Sequence, residues 1–360
     1  MCSVVLLGCG CPKRSMGWYH ATQILDETRG IGATLDHVVE PWYLSEKAIG
    51  APGSKEFAQF KSYLENKGVK FYAQAKDVPP SEPGKKRLAI ISSRTQVNPT
   101  LFEEILPNTD AIFLEKPGAE TVSELEQMKE SAEAKNVPVY MGFNKNVSKY
   151  STKARKLAEA HPGSKITYIH NNNYENTPAS LGECFERNSE GILKNMAIHE
   201  LALAATFHEV SVDSVQSVTA DKDYSSMETL KGPSGNNFTD FSKIKFGVTT
   251  KSGIEVIIAA DRCGGDDSVG VVSDAAGEEL GRFSMPDEED AETIKRAAEK
   301  EPGSMPYFFV QDPDYLALKQ RVVNSVTTGE DADGVATIGI AVDSLKLAEY
   351  LTPILKEQLE

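Results

Sequence analysis

The chain has 360 residues, with 38 Lys and Arg residues against 53 Asp and Glu residues, so its formal net charge is −15. An apolar fraction of 40% and a charged fraction of 25% are those of an ordinary globular protein and exclude wholesale disorder. The acidic balance argues against a nucleic-acid binder and against docking on anionic lipid, because both need a cationic face. The length predicts two domains.

The apolar runs and the cysteines predict a cytoplasmic protein. No apolar run approaches the length that crosses a bilayer, and the run at residues 3–7 has no basic segment before it, so we interpret it as a strand and not as a signal peptide. The five cysteines are an odd number in a long chain, which argues against a disulfide framework. Cys9 and Cys11 lack the usual zinc spacing, so no metal site is predicted.

Strand and helix patterns alternate over residues 1–144. The predicted elements, in chain order, are a strand at 3–7, a helix at 17–28, a strand at 33–39, a helix at 56–67, strands at 69–72 and 88–91, a helix at 99–105, a strand at 111–114, a helix at 121–134 and a strand at 137–141. This alternation predicts an α/β fold with a doubly wound parallel sheet, the Rossmann arrangement.

The pattern changes near residue 145, and residues 145–360 are predicted to form a second, α+β domain on a mostly antiparallel open sheet. Its predicted elements are a helix at 151–160, a strand at 166–170, a helix at 191–207, strands at 212–220, 243–250, 255–260 and 269–273, and helices at 315–326 and 335–351. Pro353 is expected to end the last helix. The charged segment 287–302 is expected to be a solvated excursion.

A glycine loop follows the first strand. Gly8 and Gly10 close the strand and Gly17 opens the first helix, with six residues between the second and third glycines where the usual dinucleotide fingerprint has two. The loop still offers a tight turn, close backbone approach and free N–H groups to a pyrophosphate. Lys13 and Arg14 could add cationic contacts to the phosphates. The alternative is a glycine-rich turn that binds nothing.

Two further residues are candidates for cofactor binding. Glu40 ends the second strand, where a carboxylate accepts hydrogen bonds from an adenosine ribose and repels a 2′-phosphate. This favours NAD, although Lys13 or Arg14 could pair with a 2′-phosphate, so NADP stays possible. Ser92 ends the fourth strand, near where the cofactor should cross. The alternative for Glu40 is a surface acid, and the alternative for Ser92 is a loop of ordinary polarity.

Four stretches of the sequence form a further signal when they are taken together. They are the glycine loop with His20 three residues beyond Gly17, Glu115-Lys116-Pro117 after the fifth strand, Gly142-Phe143-Asn144-Lys145-Asn146 after the sixth strand, and Gly191-Ile192-Leu193-Lys194-Asn195-Met196-Ala197-Ile198-His199. Together they resemble the glucose–fructose oxidoreductase / inositol dehydrogenase / MocA family across nearly the whole chain. Two departures stand out: Asn195 replaces the family's aspartate, and Ala197 replaces a glycine.

The resemblance implies an NAD(P)-dependent oxidoreductase. Such an enzyme transfers a hydride between a nicotinamide and a hydroxyl or carbonyl carbon of a sugar, an inositol or a similar small polar metabolite. It also implies that the second domain binds substrate and mediates oligomer contacts, so a homodimer or homotetramer is expected.

The resemblance assigns the chemistry to Lys116 and His199. Lys116 would hydrogen-bond the reacting oxygen at the end of a strand, beside both cofactor and substrate, with Glu115 on the cofactor side. His199 would act as the acid or base, with Asn195 four residues earlier on the same helix face. Because asparagine carries no charge, we expect a less basic His199 than in relatives with aspartate. Without the resemblance, a surface lysine and a core histidine would be the commoner interpretations.

Other readings remain open. Asn172, in a run of three asparagines after a strand, is a candidate for substrate binding, although such a run is more often a turn. Asn195 at the aspartate position also allows a non-catalytic, dinucleotide-dependent sensor on the same fold. A third possibility is a redox-neutral glycoside hydrolase that holds NAD tightly.

Overall fold

The computed structural model describes residues 2–360, except for the side chain of Lys300. The chain forms two compact units: one contains the residues up to Asn144 together with Lys295–Ala341, and the other contains Lys145–Ile294 and Val342–Glu360. The sequence prediction has a single boundary, at residues 144/145, with residues 145–360 in one domain. In the structure, segment 295–341 lies in the first unit, where the Met141 amide donates to the Ala336 carbonyl at 2.8 Å.

The first unit is built on a six-stranded parallel sheet of order β3-β2-β1-β4-β5-β6. Its strands are β1 Cys2–Leu7, β2 Ala33–Val39, β3 Lys70–Tyr72, β4 Arg87–Ile91, β5 Ala111–Leu114 and β6 Val139–Met141. Every residue of β1, β4 and β5 is buried, as expected for central strands that are covered on both faces. This confirms the predicted Rossmann sheet, and the order reverses between β1 and β4.

Helices connect these strands. They are α1 Met16–Leu25, α2 Ser54–Asn66, α3 Asn98–Ile105 and α4 Val122–Ala134. The start of α4 shows why the sequence folds this way locally. The Thr121 hydroxyl accepts from the Glu124 amide at 3.2 Å while the Glu124 carboxylate accepts from the Thr121 amide at 3.1 Å. Two N–H groups without helical partners are thereby satisfied.

The second unit contains a mostly antiparallel seven-stranded sheet of order β13-β12-β7-β11-β10-β8, with β9 also paired to β10. The strands are β7 Lys165–Asn171, β8 Val215–Ala220, β9 Ser226–Lys231, β10 Asn237–Thr250, β11 Glu255–Asp261, β12 Ser268–Ser273 and β13 Glu279–Met285. The β7–β11 pairing is parallel and the remaining pairings described are antiparallel. The predicted sheet type is therefore confirmed.

The remaining helices complete the chain. They are α5 Lys149–Glu159, α6 Pro178–Arg187, α7 Ile192–Asn195, α8 Ile198–Phe207, α9 Glu288–Lys300, α10 Pro306–Val310, α11 Asp312–Thr328 and α12 Ile338–Leu359. Within residues 2–360, none of the helices is both long and apolar enough to cross a membrane.

Helix α9 was not predicted, and two helix predictions were wrong. Segment 287–302, which was expected to be a solvated excursion, is largely exposed but contains α9, because its charged residues are good helix formers. The last helix continues through Pro353 to Leu359, since the buried Leu351 and Leu355 hold it on both sides of the proline. The predicted helix 191–207 is broken into α7 and α8, because the Ala197 amide donates to the Ile192 carbonyl at 2.9 Å and closes α7 there.

Candidate functional site

The glycine loop packs as a nucleotide-binding turn requires. Gly8 and Gly10 have positive φ angles of 85° and 68°, a conformation that side chains other than glycine rarely adopt. A Cβ added to Gly17 would lie 1.9 Å from the Gly8 carbonyl oxygen, so α1 can approach the end of β1 only with glycine at this position. Backbone angles and close packing therefore explain why all three positions are glycine, despite the enlarged loop.

The long loop makes its own contacts. The Cys11 amide donates to the Ser15 hydroxyl at 2.8 Å, which folds residues 11–15 into a turn. The Lys13 ammonium donates to the Pro302 carbonyl at 2.8 Å and lies 3.5 Å from the Glu301 carboxylate. Arg14 is exposed. Of the two predicted phosphate contacts, Lys13 is thus held by segment 301–302 of the same unit, whereas the Arg14 side chain extends into solvent.

Glu40 lies next to the glycine loop. Its carboxylate accepts from the Gly10 amide at 2.7 Å and from the Trp42 and Tyr43 amides at 3.3 and 3.4 Å. Burial raises the pKa of Glu40, and the backbone N–H donors act in the opposite direction. A carboxylate fixed against the loop amide is an acceptor for a ribose hydroxyl and repels a further anion.

Ser92 lies on the other side of the loop, where its amide donates to the Leu7 carbonyl at 2.8 Å. Its hydroxyl oxygen is buried and has no hydrogen-bond partner within residues 2–360. A Cβ on Gly8 would lie 2.9 Å from the Ser92 carbonyl oxygen. A buried unpaired hydroxyl, a close glycine turn and a fixed carboxylate fit a dinucleotide cofactor, because each supplies a contact that its phosphates or ribose need.

The end of β5 presents Lys116, which is partly buried and precedes a cis proline. The Asn98 amide group donates to the Gly118 carbonyl at 3.0 Å and fixes the turn after Lys116. The Glu115 carboxylate is buried and bonds His20 Nε2 at 2.8 Å. Since the Glu115 side chain is directed into the unit, its predicted cofactor contact would have to come from its backbone.

Sequence reasoning did not find the partner of His20. Lys319, on α11, lies with its Nζ 2.8 Å from His20 Nδ1. Burial, reinforced by Lys319, lowers the pKa of His20 to about 4, and burial lowers the pKa of Lys319 to about 7. The spacing of three residues between Gly17 and His20 indicated the histidine, but the residue pattern of α11 did not indicate Lys319.

In the second unit, Asn195 and His199 do not share one continuous helix, contrary to the prediction. Asn195 ends α7, and its amide group donates to the Glu190 carboxylate at 3.1 Å. His199 is buried in the first turn of α8. The break at Met196 and Ala197 alters the direction of the backbone between them, so helix spacing alone does not define their geometry.

His199 has ionisable neighbours that the sequence did not reveal. The His170 ring lies 6.0 Å from the His199 ring between centroids. His170 Nδ1 lies 3.1 Å from the Met196 carbonyl and 3.2 Å from the Glu200 carboxylate, and since both oxygens are acceptors, this nitrogen donates. Lys145 donates to Glu200 at 2.7 Å.

The charge state of this group follows from its contacts. Burial alone raises the pKa of Glu200, but Lys145 and His170 together lower it to about 2. Glu200 is therefore a fully buried anion beside His199.

Asn172, the predicted substrate residue, follows β7, where its amide donates to the Asp261 carbonyl at 2.8 Å. It thus lies two residues beyond His170.

Residues 4–143 match the family described as an oxidoreductase family with an NAD-binding Rossmann fold. This confirms the resemblance for the first unit, and it confirms NAD as the cofactor of that fold. No curated protein matches the chain in sequence.

Solved structures share the fold over the whole chain. Scyllo-inositol dehydrogenase from Lactobacillus casei, with bound NAD(H) and scyllo-inositol, is 15% identical with a TM-score of 0.69, covering 99% of this chain and 97% of that one. Myo-inositol 2-dehydrogenase from Lactobacillus plantarum is 17% identical with a TM-score of 0.68 and the same coverage. An oxidoreductase from Agrobacterium radiobacter in complex with NAD+, L-tartaric acid and magnesium is 12% identical with a TM-score of 0.65, covering 99% and 96%.

Proposed function

Because residues 4–143 belong to the NAD-binding oxidoreductase family of glucose–fructose oxidoreductase, inositol dehydrogenase and MocA, we propose that the chain is an NAD-dependent dehydrogenase of a small polyhydroxylated metabolite. The observation that carries the proposal is the glycine loop, with Gly17 packed on Gly8 and Glu40 bonded to Gly10. The substrate class is a polyol, an inositol or a sugar.

The cofactor would be held by residues of the first unit. Gly8 and Gly10 let the backbone approach the pyrophosphate, and the start of α1 offers its free N–H groups. Glu40 accepts from the ribose diol, which selects NAD over NADP. Ser92 donates its otherwise unpaired hydroxyl to the dinucleotide. Arg14 adds charge near the phosphates. Bound NAD supplies the carbon that accepts the hydride from the substrate.

Lys116 and His199 would supply the catalytic groups of the dehydrogenase. In oxidation, the imidazole of His199 accepts the hydroxyl proton while the hydride leaves the same carbon, so that an alcohol becomes a carbonyl. The Lys116 ammonium stabilises the negative charge that develops on the oxygen. Asn195 would bind substrate and orient it toward His199.

A polyol substrate is supported by the polar groups of the second unit. His170 and Asn172, at the end of β7, offer a donor or acceptor nitrogen and an amide to hydroxyl groups. Two proteins with the same fold act on scyllo-inositol and myo-inositol according to their descriptions. The Asn172 amide group carries no charge and can both donate to and accept from hydroxyl groups, as a substrate with several hydroxyls requires.

The test is NADH formation with a panel of inositols, linear polyols and aldoses. Lys116→Ala and His199→Ala should each lower kcat by about 1,000-fold, while the affinity for NAD, measured by titration, stays within about threefold of the wild type. Lys86→Ala and His161→Ala are the matched controls, because both side chains are exposed. Normal turnover by Lys116→Ala or His199→Ala would contradict the assigned roles.

A second candidate is a dinucleotide-dependent sensor without turnover. Asn195 favours it, because the amide brings no charge to the position where the family has an aspartate. The two candidates differ in one measurement: a sensor binds NAD and a polyol together but forms no NADH from any member of the panel.

A further inference from the structure

Three buried side chains of the first unit form one hydrogen-bonded series. Lys319 Nζ lies 2.8 Å from His20 Nδ1, and His20 Nε2 lies 2.8 Å from the Glu115 carboxylate. The exposed fractions of the three residues are 1%, 0% and 7%. The series joins α11, α1 and the end of β5.

The direction of each bond follows from the chemistry of the groups. A carboxylate only accepts, so His20 Nε2 carries the hydrogen and donates to Glu115. In the neutral imidazole, Nδ1 then keeps its lone pair and accepts from the Lys319 ammonium. Glu115 and Lys319 therefore favour the same tautomer of His20, and the imidazole is held by a hydrogen bond at each of its two nitrogens.

Burying an ammonium costs several kcal/mol unless it is compensated, and an apolar residue of similar volume is often as stable or more stable there. The neighbours on α11 that face the core, Leu318 and Val322, are apolar. The Lys319 ammonium lies over the rings of Tyr315 and Tyr19 at 5.1 and 5.8 Å. The ammonium is thus stabilised by these two rings and by its hydrogen bond to His20.

The Glu115 carboxylate is held on every side. Its other oxygen accepts from the Tyr315 hydroxyl at 3.4 Å, and a Cβ on Gly142 would lie 2.6 Å from that oxygen. The Glu115 amide donates to the Ile91 carbonyl at 2.9 Å. One peptide bond separates this fixed residue from Lys116, so the position of the Glu115 side chain bears directly on the direction in which Lys116 leaves the strand.

We propose that Lys319 is a positioning residue: through its hydrogen bond to His20 it holds the imidazole against the Glu115 carboxylate and thereby holds the backbone that presents Lys116. This inference rests on the proposed function of Lys116. The charged and titratable groups around Lys319 are His20, Glu115, Tyr19, Tyr315, Asp312 and the Arg29 that pairs with Asp312.

The first test needs no turnover. In long-range ¹⁵N NMR spectra, the His20 signals of the wild type should be those of a neutral Nε2–H imidazole. In Lys319→Met the Nδ1 signal should shift, because this nitrogen loses its hydrogen-bond donor, while Glu115 still retains the Nε2–H tautomer. The rate of Lys116 acetylation, measured by peptide mass spectrometry, should change by about threefold or more in Lys319→Met, with Lys86 as the internal control. Unchanged His20 signals or unchanged Lys116 acetylation would overturn the inference, whatever the activity of the enzyme.

The second test uses the reaction. Lys319→Met should lower kcat about 30-fold with the KM for NAD changed less than threefold, because a small displacement of a catalytic group costs rate and not cofactor binding. The ratio of wild-type to variant kcat should fall to about 3 between pH 6 and pH 9, as Lys319 loses its charge. A ratio that is constant with pH, or equal to one, would show a merely structural lysine.

Two further variants distinguish a loss of positioning from a folding defect. Glu115→Gln leaves the volume unchanged but replaces one acceptor oxygen with a donor, and should also change Lys116 acetylation. Lys319→Arg keeps the charge and should retain more activity than Lys319→Met. If the wild type forms no NADH with any substrate, the proposed function fails, and the NMR and acetylation measurements still decide the role of Lys319.

Discussion

Gly17→Ala provides a sharp test of the glycine loop. The Cβ of an alanine would lie 1.9 Å from the Gly8 carbonyl oxygen and 2.8 Å from both Cys9 Cα and the Cys9 carbonyl oxygen. All three neighbours are backbone atoms, so no flexible side chain can yield. The first contact is about 1.5 Å short of the 3.4 Å at which ordinary contacts begin.

The helix must therefore move away from the strand, or the loop must open. Overpacking of this kind costs about 1–3 kcal/mol and occasionally more. For a first unit of this size, such a loss should lower the melting temperature by a few degrees. The same displacement moves the N–H groups of α1 away from the pyrophosphate, so the affinity for NAD should fall by about tenfold or more.

The matched control is Gly339→Ala. Gly339 lies in the first turn of α12, its φ is not in the left-handed region, and an added Cβ would meet only the Thr337 hydroxyl at an ordinary 3.5 Å. Alanine is preferred to glycine in helices by about 1 kcal/mol, so this variant should be as stable as the wild type or more stable. Thermal unfolding and NAD titration measure both variants. If Gly17→Ala melts and binds NAD like the wild type, the packing argument fails.

Three other substitutions test separate parts of the reasoning. Glu40→Gln removes the negative charge beside Gly10 and should reduce the preference for NAD over NADP by about tenfold, measured as the ratio of the two dissociation constants. The pKa of Lys319 is lowered to about 7 in the folded state. Above that pH the unfolded chain binds one more proton, so stability rises with pH; Lys319→Met should remove about 2–3 kcal/mol of this rise between pH 6.5 and 9, measured by urea unfolding, and equal slopes would contradict it. Asn195→Asp adds a negative charge that favours a protonated imidazole, so the pH at which kcat is half-maximal should move upward, and an unchanged profile would separate Asn195 from the acid–base step.

The first sheet could be predicted because its signals are local. The burial of β1, β4 and β5 follows from runs of apolar β-formers, and the Thr121-to-Glu124 capping box marks the start of α4. The glycine positions at the end of β1 are equally local, since each one reflects a backbone angle or a close approach. These local signals could therefore be recognised although the loop is longer than in the usual fingerprint.

Long-range contacts could not be predicted. Lys319 and His20 are separated by 299 residues, and the return of segment 295–341 to the first unit depends on tertiary packing that no periodicity encodes. The helix α6 lies between the predicted strand 166–170 and the predicted helix 191–207, where no element was predicted. Its Thr177 cap followed by Pro178, and its buried Leu181, Cys184 and Phe185 at helical spacing, are local signals that were missed.

The break between α7 and α8 changes how the pair Asn195 and His199 should be understood. On one continuous helix, a spacing of four would direct both side chains to the same face, and an aspartate-to-asparagine replacement would act directly on the histidine. Because the chain turns at Met196, the carbonyl of that residue is instead free to accept from His170, whose ring lies beside His199. The anion nearest in sequence to His199 is Glu200, which pairs with Lys145 and accepts from His170 Nδ1. The acid–base behaviour of His199 should therefore respond to His170→Gln, which removes the ionisable neighbour and keeps a hydrogen-bond donor, as well as to Asn195→Asp. An unchanged kcat–pH profile in both variants would place the titrating group elsewhere.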